Sequence, residues 1–269
     1  MLYILSRLTP LALLLALAAC APPPPPGAPP AVPGYEGIQD GEFFIAPVPA
    51  KYLPDHVRRQ EIGWVGDEQP GDIVVDTHAR VLYFMLEPGR AMRYTIAVGR
   101  EGLGFAGNGN IQRKQEWPSW TPTANMVRTR PDLYAAYAGG LPGGLTNPLG
   151  ARAMYLYRGG RDTYFRIHGT QEVASIGRAT SAGCIRLFNQ DAIDLYNRVQ
   201  LGTRVHVRTL AESIQWEGQY IENADGLMVR YSPQTAAAVE QEKATRAQSS
   251  AMSAAAAREA QLTGTDQQG

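Results

Sequence analysis

The chain has 269 residues, and 25 Lys and Arg balance 25 Asp and Glu. A formal net charge of zero gives no field that points to nucleic acid or to a strongly charged partner. The length allows one sizeable core with appendages or two small domains, and 28 Gly with 20 Pro favour turns and short strands over long helices.

Residues 1–19 read as an export signal. Arg7 is the only charge, and residues 8–19 form an apolar run shorter than the ~20 residues a membrane-spanning helix needs. The run ends in Leu17-Ala18-Ala19-Cys20, which resembles the lipobox of bacterial lipoproteins. That resemblance implies cleavage before Cys20 and lipidation of its thiol, and Ala21 in the next position implies transfer to the outer membrane. The alternative is an ordinary secretory signal cut after Ala16-Leu17-Ala18; either way the mature chain leaves the cytoplasm. Residues 20–34 then form a stalk, nearly all Pro, Ala and Gly after the cysteine. At ~3.1 Å per residue its extended chain would span roughly 40 Å. The stalk is either a spacer that sets the distance to the cell wall or disordered chain without that role.

Residues 35–70 read as an irregular lead-in, with 45–51 and Arg58-Arg59 as surface chain lying over a domain. From Gly71 the texture changes. Ile73-Val74-Val75 and Val81-Leu82-Tyr83-Phe84-Met85 are β-rich runs around a hairpin turn at 76–80, and 94–98 is a third strand. Residues 99–110 read as a glycine-rich loop; it lacks the Lys-Ser/Thr ending of a phosphate-binding loop. Residues 117–126 are an irregular aromatic stretch, and 138–150 are again rich in Gly and Pro. Strands follow at 153–157, 163–168 and 185–188. A helix comes next, with Asn189 as N-cap, Asp191 in its first turn, Ile193, Tyr196 and Val199 on one face, and Gly202 at its end. One more strand covers 204–208. The pattern predicts a mainly β fold, a sandwich or barrel with short helices, over 71–208. Residues 209–232 read as a structured extension, because Trp216, Tyr220 and Tyr231 would be costly to expose, and 233–269 as a weak helix or disordered Ala/Gln-rich tail.

The chemistry centres on Cys184. A thiol in an oxidising compartment asks for a reason. A structural cysteine would have apolar neighbours on both sides, but Gly183 precedes this one and lets another group approach the backbone. Strand alternation sends Cys184 and Arg186 to one face, and Ile185 and Leu187 to the other. A nearby guanidinium favours the thiolate, the reactive form. Upstream, Phe165 and Ile167 face one way while Tyr164, Arg166 and His168 face the other. His168 thus ends a strand on its polar face, ahead of Gly169, and an imidazole beside a thiol is what nucleophilic thiol catalysis needs. Residues 170–183 can fold back so that neighbouring strands bring the two side chains together. His56, His78 and His206 are scattered without zinc-ligand spacing, so no metal is expected.

His168-Gly169-Thr170, followed by Ser181-Ala182-Gly183-Cys184-Ile185-Arg186, resembles the signature of the YkuD-type L,D-transpeptidases. The resemblance covers roughly 71–208. It includes Gly71-Asp72-Ile73-Val74-Val75-Asp76, Trp117-Pro118-Ser119-Trp120-Thr121-Pro122 and Asn147-Pro148-Leu149-Gly150-Ala151-Arg152, and lead-in and domain together look most like the alphaproteobacterial branch. It implies that His168 takes the Cys184 proton while the Gly169 carbonyl orients the imidazole. The sulfur would attack the third-residue carbonyl of a peptidoglycan stem, usually diaminopimelate, and expel D-alanine. Backbone N–H groups of Gly183 and Cys184 would hold the oxyanion. Arg186, with Ser181 and Trp120, would bind substrate. A second stem, an outer-membrane protein amine or water would then accept the acyl group, giving a 3→3 crosslink, an anchored protein or carboxypeptidase activity. The family also implies acylation by carbapenems, and no cofactor. Many members carry His or another polar residue where this chain has Ala182, which bears on rate or acceptor choice. Sortases place Thr-Leu-x-Thr before the cysteine and a longer gap after the histidine, and NlpC-type peptidases place Cys before His. A non-catalytic wall-binding lipoprotein would lack the Cys or the His.

Overall fold

The structure, a computed structural model, describes residues 31–99, 105–179 and 184–264. The expected signal peptide, Cys20 and most of the stalk lie outside the described residues, as do Ser181, Ala182 and Gly183.

The lead-in carries a short hairpin, β1 (Ile38–Asp40) with β2 (Phe43–Ile45). Among the described residues, ten further strands make one mixed sheet. They are β3 (Gln60–Gly63), β4 (Ile73–Asp76), β5 (Val81–Glu87), β6 (Arg90–Thr95), β7 (Ala97–Val98), β8 (Gly107–Glu116), β9 (Arg152–Arg158), β10 (Arg161–Thr170), β11 (Ile185–Phe188) and β12 (Arg204–Val207). Two short helices, α1 (Ala124–Thr129) and α2 (Pro131–Tyr134), interrupt the chain between β8 and β9, and α3 (Asn189–Arg198) follows β11 directly. The spatial order is β3-β6-β5-β4-β12-β8-β9-β10-β11-β7. β6 lies beside one edge and β7 forms the other, yet only Ile96 separates them in sequence. One residue spans about 3.8 Å, so the sheet must roll until its two ends meet. The expected mainly β sandwich or barrel with short helices is the fold observed.

Alternation explains what fills the roll. Val75, Leu82, Tyr94, Met154, Leu156 and Ile167 point inward from successive strands and are fully buried. α3 adds Ala192 and Leu195 to the same core, and its C-cap Val199 is buried there as expected; Tyr196 packs on the core only partly buried, and the full burial shifts from the expected Ile193 to Ala192 and Leu195. Lys114 closes the far end of α3. Its ammonium donates to the carbonyls of Tyr196 at 2.7 Å and Val199 at 2.5 Å, where the helix dipole favours a cation.

Several expectations need correcting. The run 94–98 is split, because β6 ends at Thr95 and β7 joins the opposite edge. The supposed loop 99–110 ends as strand: Gly107 to Asn110 pair with β12 despite poor strand propensity. Asn189 is the first residue of α3 and Phe188 its cap, because the Asn189 amide is spent elsewhere. Trp216 is 50% exposed and Tyr231 43% exposed. The extension is ordered instead by α4 (Leu210–Glu217) and its capping box, Thr209 with Glu212. A hairpin of β13 (Tyr220–Glu222) and β14 (Met228–Arg230) completes the extension, and the tail is helical as α5 (Pro233–Gly264).

The lead-in is more than surface chain. Val32, Tyr35, Val48, Leu53 and Val57 bury against Ala97, Ile176 and Phe188. The last residues assigned to the stalk therefore belong to the fold. The first turn of α3 buries Asn189, Gln190 and Asp191, and buried polar groups need partners. The lead-in supplies them. Arg59 lies 2.8 Å from Asp191, Tyr35 donates to the same carboxylate at 3.2 Å, and Gln190 donates to the carbonyls of Glu36 and Ala46 at 3.1 and 3.0 Å. Burial pushes the Asp191 carboxyl up to about 7, with Arg59 opposing. Asp40 grips Arg152 through two hydrogen bonds, and the Phe43 ring packs on Trp117 at 4.3 Å between centroids. The strap thus braces both α3 and the start of the 117–150 segment.

Candidate active site

β10 and β11 run parallel, with His168 opposite Arg186 and Ile167 opposite Ile185. The crossover between them turns at Val173–Ser175 and touches β7 through the bridge between Ala179 and Val98. Cys184 stands just before β11 and is half-buried. Its carbonyl accepts the Gly99 N–H at 3.3 Å, which carries the β7–β11 pairing one residue further. Counting back two residues sets Cys184 beside Arg166, on the face shared by His168 and Arg186. On strand alternation this places Cys184 on the side of the sheet that carries His168.

His168 is 3% exposed, and its Nδ1 lies 2.6 Å from the Gly169 carbonyl oxygen. A carbonyl can only accept, so Nδ1 carries the proton and donates, and Nε2 keeps its lone pair. Burial pushes the imidazole down to about 4; the Arg186 and Arg166 cations push the same way, while the Gly169 and Leu149 carbonyls oppose. The ring is therefore neutral over the ordinary pH range, which is the form a base needs.

The Gly169 peptide is itself clamped. Asn189 Oδ1 accepts the Ala151 N–H at 2.9 Å and sits against both Gly169 and Gly150. A Cβ on either glycine would run into that oxygen, and Gly150 also has φ of 61°, a conformation that suits glycine. Sequence reasoning missed Asn189 and Gly150 as parts of the site. A polar residue directly after the Cys strand was a signal, but it read as a helix cap.

Arg186 donates to Glu172 at 2.9 Å, and the Glu172 side chain is 72% exposed. A substrate carboxylate would have to exchange with that loosely held partner. Trp120 lies at the start of the 120–141 lobe, its backbone bridged to Leu141 and its ring 6.2 Å from those of both Tyr134 and Tyr137. Ser181 and Gly183 lie outside the described residues.

The rolled mixed sheet thus carries a half-buried thiol at the start of β11 and a buried, backbone-oriented imidazole on β10. Residues 70–207 match YkuD, the L,D-transpeptidase catalytic domain, and the chain belongs to that family. It is 33% identical over 157 residues to the probable L,D-transpeptidase ErfK/SrfK of Escherichia coli, covering 58% of this chain and 46% of that protein. It is 31% identical over 137 residues to the probable L,D-transpeptidase YbiS of the same organism, covering 50% of this chain and 43% of that one. The chain thus spans less than half the length of these two relatives. A solved structure from Brucella melitensis, described as a probable carnitine operon oxidoreductase caia, is 47% identical with a TM-score of 0.41, covering 57% of this chain and 95% of that one. A likeness at that score says nothing of activity.

Proposed function

We propose that the protein is a peptidoglycan L,D-transpeptidase acting from Cys184. The observation that carries this reading is the 2.6 Å contact from His168 Nδ1 to the Gly169 carbonyl, which leaves Nε2 as acceptor on the face that bears the thiol. Because burial disfavours the imidazolium, the resting pair is thiol and neutral imidazole, and the proton moves as the substrate is attacked. Sγ bonds to the third-residue carbonyl of a donor tetrapeptide as its proton passes to His168. The C–N bond to D-alanine then breaks, and His168 returns the proton to the leaving amine. An acceptor amine attacks the thioester, loses its proton through His168 to Sγ, and frees the enzyme with a new amide. Backbone N–H groups of Gly183 and Cys184 stabilise the oxyanion, and Arg186, Ser181 and Trp120 hold the stems.

The test is mass spectrometry of purified protein with disaccharide-tetrapeptide donor and a second stem as acceptor. A 3→3 dimer with one D-alanine released per bond is expected. Release of D-alanine without dimer would make the protein a carboxypeptidase, and no release would overturn the reading.

The protein acts in the periplasm, held by lipid on Cys20 at the outer membrane. Support comes from the Leu17-Ala18-Ala19-Cys20 run and the proline-rich stalk that follows it. Cys20→Ser should move the protein from the membrane to the soluble periplasmic fraction. Identical fractionation of both forms would remove the anchor from the account. An outer-membrane protein amine remains within reach as acceptor in this arrangement.

A further inference from the structure

The face that carries the thiol continues across the sheet. β10 pairs with β9 so that Arg166 stands opposite Tyr155, and β9 pairs with β8 so that Tyr155 stands opposite Arg113. With Cys184 beside Arg166, four residues form one row at right angles to the strands: Cys184, Arg166, Tyr155 and Arg113. The next row is Arg186, His168, Ala153 and Gln115. Ala153 and His168 in the second row are buried, whereas the first row ends on the exposed side chain of Arg113.

Two features mark the first row. Both guanidinia lie over the Tyr155 ring, Arg166 at 4.4 Å and Arg113 at 4.5 Å from its centroid. Each strand that brings an arginine also carries a register shift just before it, between Asp162 and Arg166 on β10 and between Ile111 and Arg113 on β8. Bulges re-aim side chains and are frequent beside active sites. Here two of them converge on one tyrosine. Tyr164 sits inside the first with φ of 62°, a strained setting for a large side chain. Asp162 grips Arg166 with two bonds of 2.7 and 2.8 Å, and it fixes that side chain while neutralising it. The side-chain hydrogen bond of Arg113 among the described residues goes to Gln115, a neutral group. Arg113 is exposed. Asp162 feels the Arg113 charge as well, more weakly than that of Arg166, and the row ends on an exposed guanidinium oriented by the Tyr155 ring.

We propose that Arg113, set by Tyr155 and Arg166, is a carboxylate-binding subsite for the donor stem peptide. It receives a carboxylate upstream of the residue acylated on Cys184. This rests on the transpeptidase reading above. Arg113 is three strand steps from Cys184, but its guanidinium reaches back over the Tyr155 ring, two steps of ~4.8 Å or about 10 Å away, roughly the reach of the next residue upstream with its own side chain. A guanidinium stacked on a ring keeps its outer edge free for a two-point contact with a carboxylate. Asp162 keeps Arg166 from competing for the ligand.

The experiment compares two tetrapeptide donors that differ only in the second residue, whose carboxyl group is free in one and amidated in the other. D-alanine release is measured for wild type, Arg113→Gln, Arg113→Lys and, as a remote control, Arg90→Gln on the β5–β6 hairpin. Wild type should favour the free carboxylate by about tenfold in kcat/KM, the lower range for a charged hydrogen bond at an exposed site. Arg113→Gln should erase that preference through KM, with kcat little changed. Arg113→Lys should keep part of it, because the charge survives and the flat fork does not. Arg90→Gln should behave as wild type. Equal use of both donors by a turning-over wild type overturns the subsite alone. So does an equal loss on both donors in Arg113→Gln, which would make the arginine a packing residue. A wild type that releases D-alanine from neither donor overturns the transpeptidase reading and the subsite with it.

Discussion

A carbapenem should leave one covalent adduct per chain, on Cys184, and Cys184→Ala should carry none. The β-lactam presents a strained carbonyl where the donor stem presents its third-residue carbonyl. Attack by sulfur opens the ring without a departing fragment, so the protein gains the whole mass of the drug. The only other cysteine is Cys20, whose sulfur carries lipid in the mature chain under the reading above. Alanine keeps the Cys184 backbone and its bond from Gly99, so the β7–β11 edge should hold. The loss should be complete and not graded, because the adduct is a thioester and needs the Cys184 sulfur. Intact-mass spectrometry of folded wild type and mutant reads it directly. An adduct that persists in Cys184→Ala would show that another group is being acylated.

His168→Gln should lower carbapenem acylation by about 10²–10⁴-fold, the usual contribution of a general base, while the fold survives. If His168 only packed, the folded mutant would react at the wild-type rate. The pH profile separates the two further. With the imidazole held down to about 4, wild type should keep its base available well below the ~6.5 of an ordinary histidine. The mutant should partly recover as pH rises toward the ~8.5 of a free thiol, where hydroxide replaces the base. Stability should follow the same group. Between about 6.5 and about 4 the unfolded chain takes up a proton that the folded chain refuses. The contribution of His168 to stability is therefore full above ~6.5 and is lost as pH falls through about 4. His206→Gln is the control: its ring lies between Asn108 and Glu212 on β12. Acylation rates against pH, with circular dichroism as the folding check, decide the matter.

The sequence and the structure agree where the signal is local. Runs such as Val81-Leu82-Tyr83-Phe84-Met85 are strands because their branched and aromatic side chains fit a pleated core face. His168 and Cys184 could be read because each sits on the polar side of an alternating segment next to a glycine. The start of β8 could not, since Gly107, Asn108, Gly109 and Asn110 have little strand preference. They are strand because β12 supplies the ladder, and Gly109 passes too close to Leu156 and Tyr157 for a side chain. Asn189 escaped for a similar reason: its partner, the Ala151 N–H, lies 38 residues away. The row from Cys184 to Arg113 needs the register of three pairings and two bulges, none of which the sequence states. The tail takes the helical of its two expected forms: its alanines bury little, with Val239 the one buried hydrophobic among its described residues, but alanine is the best helix former.

The place of β12 in the sheet has a consequence for how the molecule is made. It lies between β4 and β8, yet it is the last strand of the ten to be synthesised. Until residue 204 has emerged, β3 to β6 can form only one meander and β8 to β10 another, each with a naked central edge. Such edges invite pairing with other chains, and long-range closure is slow. A chain that cannot close early also stays open longer, with its unpaired edges exposed meanwhile. Weakening the β12 pairing, as with Val205→Pro, should therefore cost folding yield more than the same change on the edge strand β3.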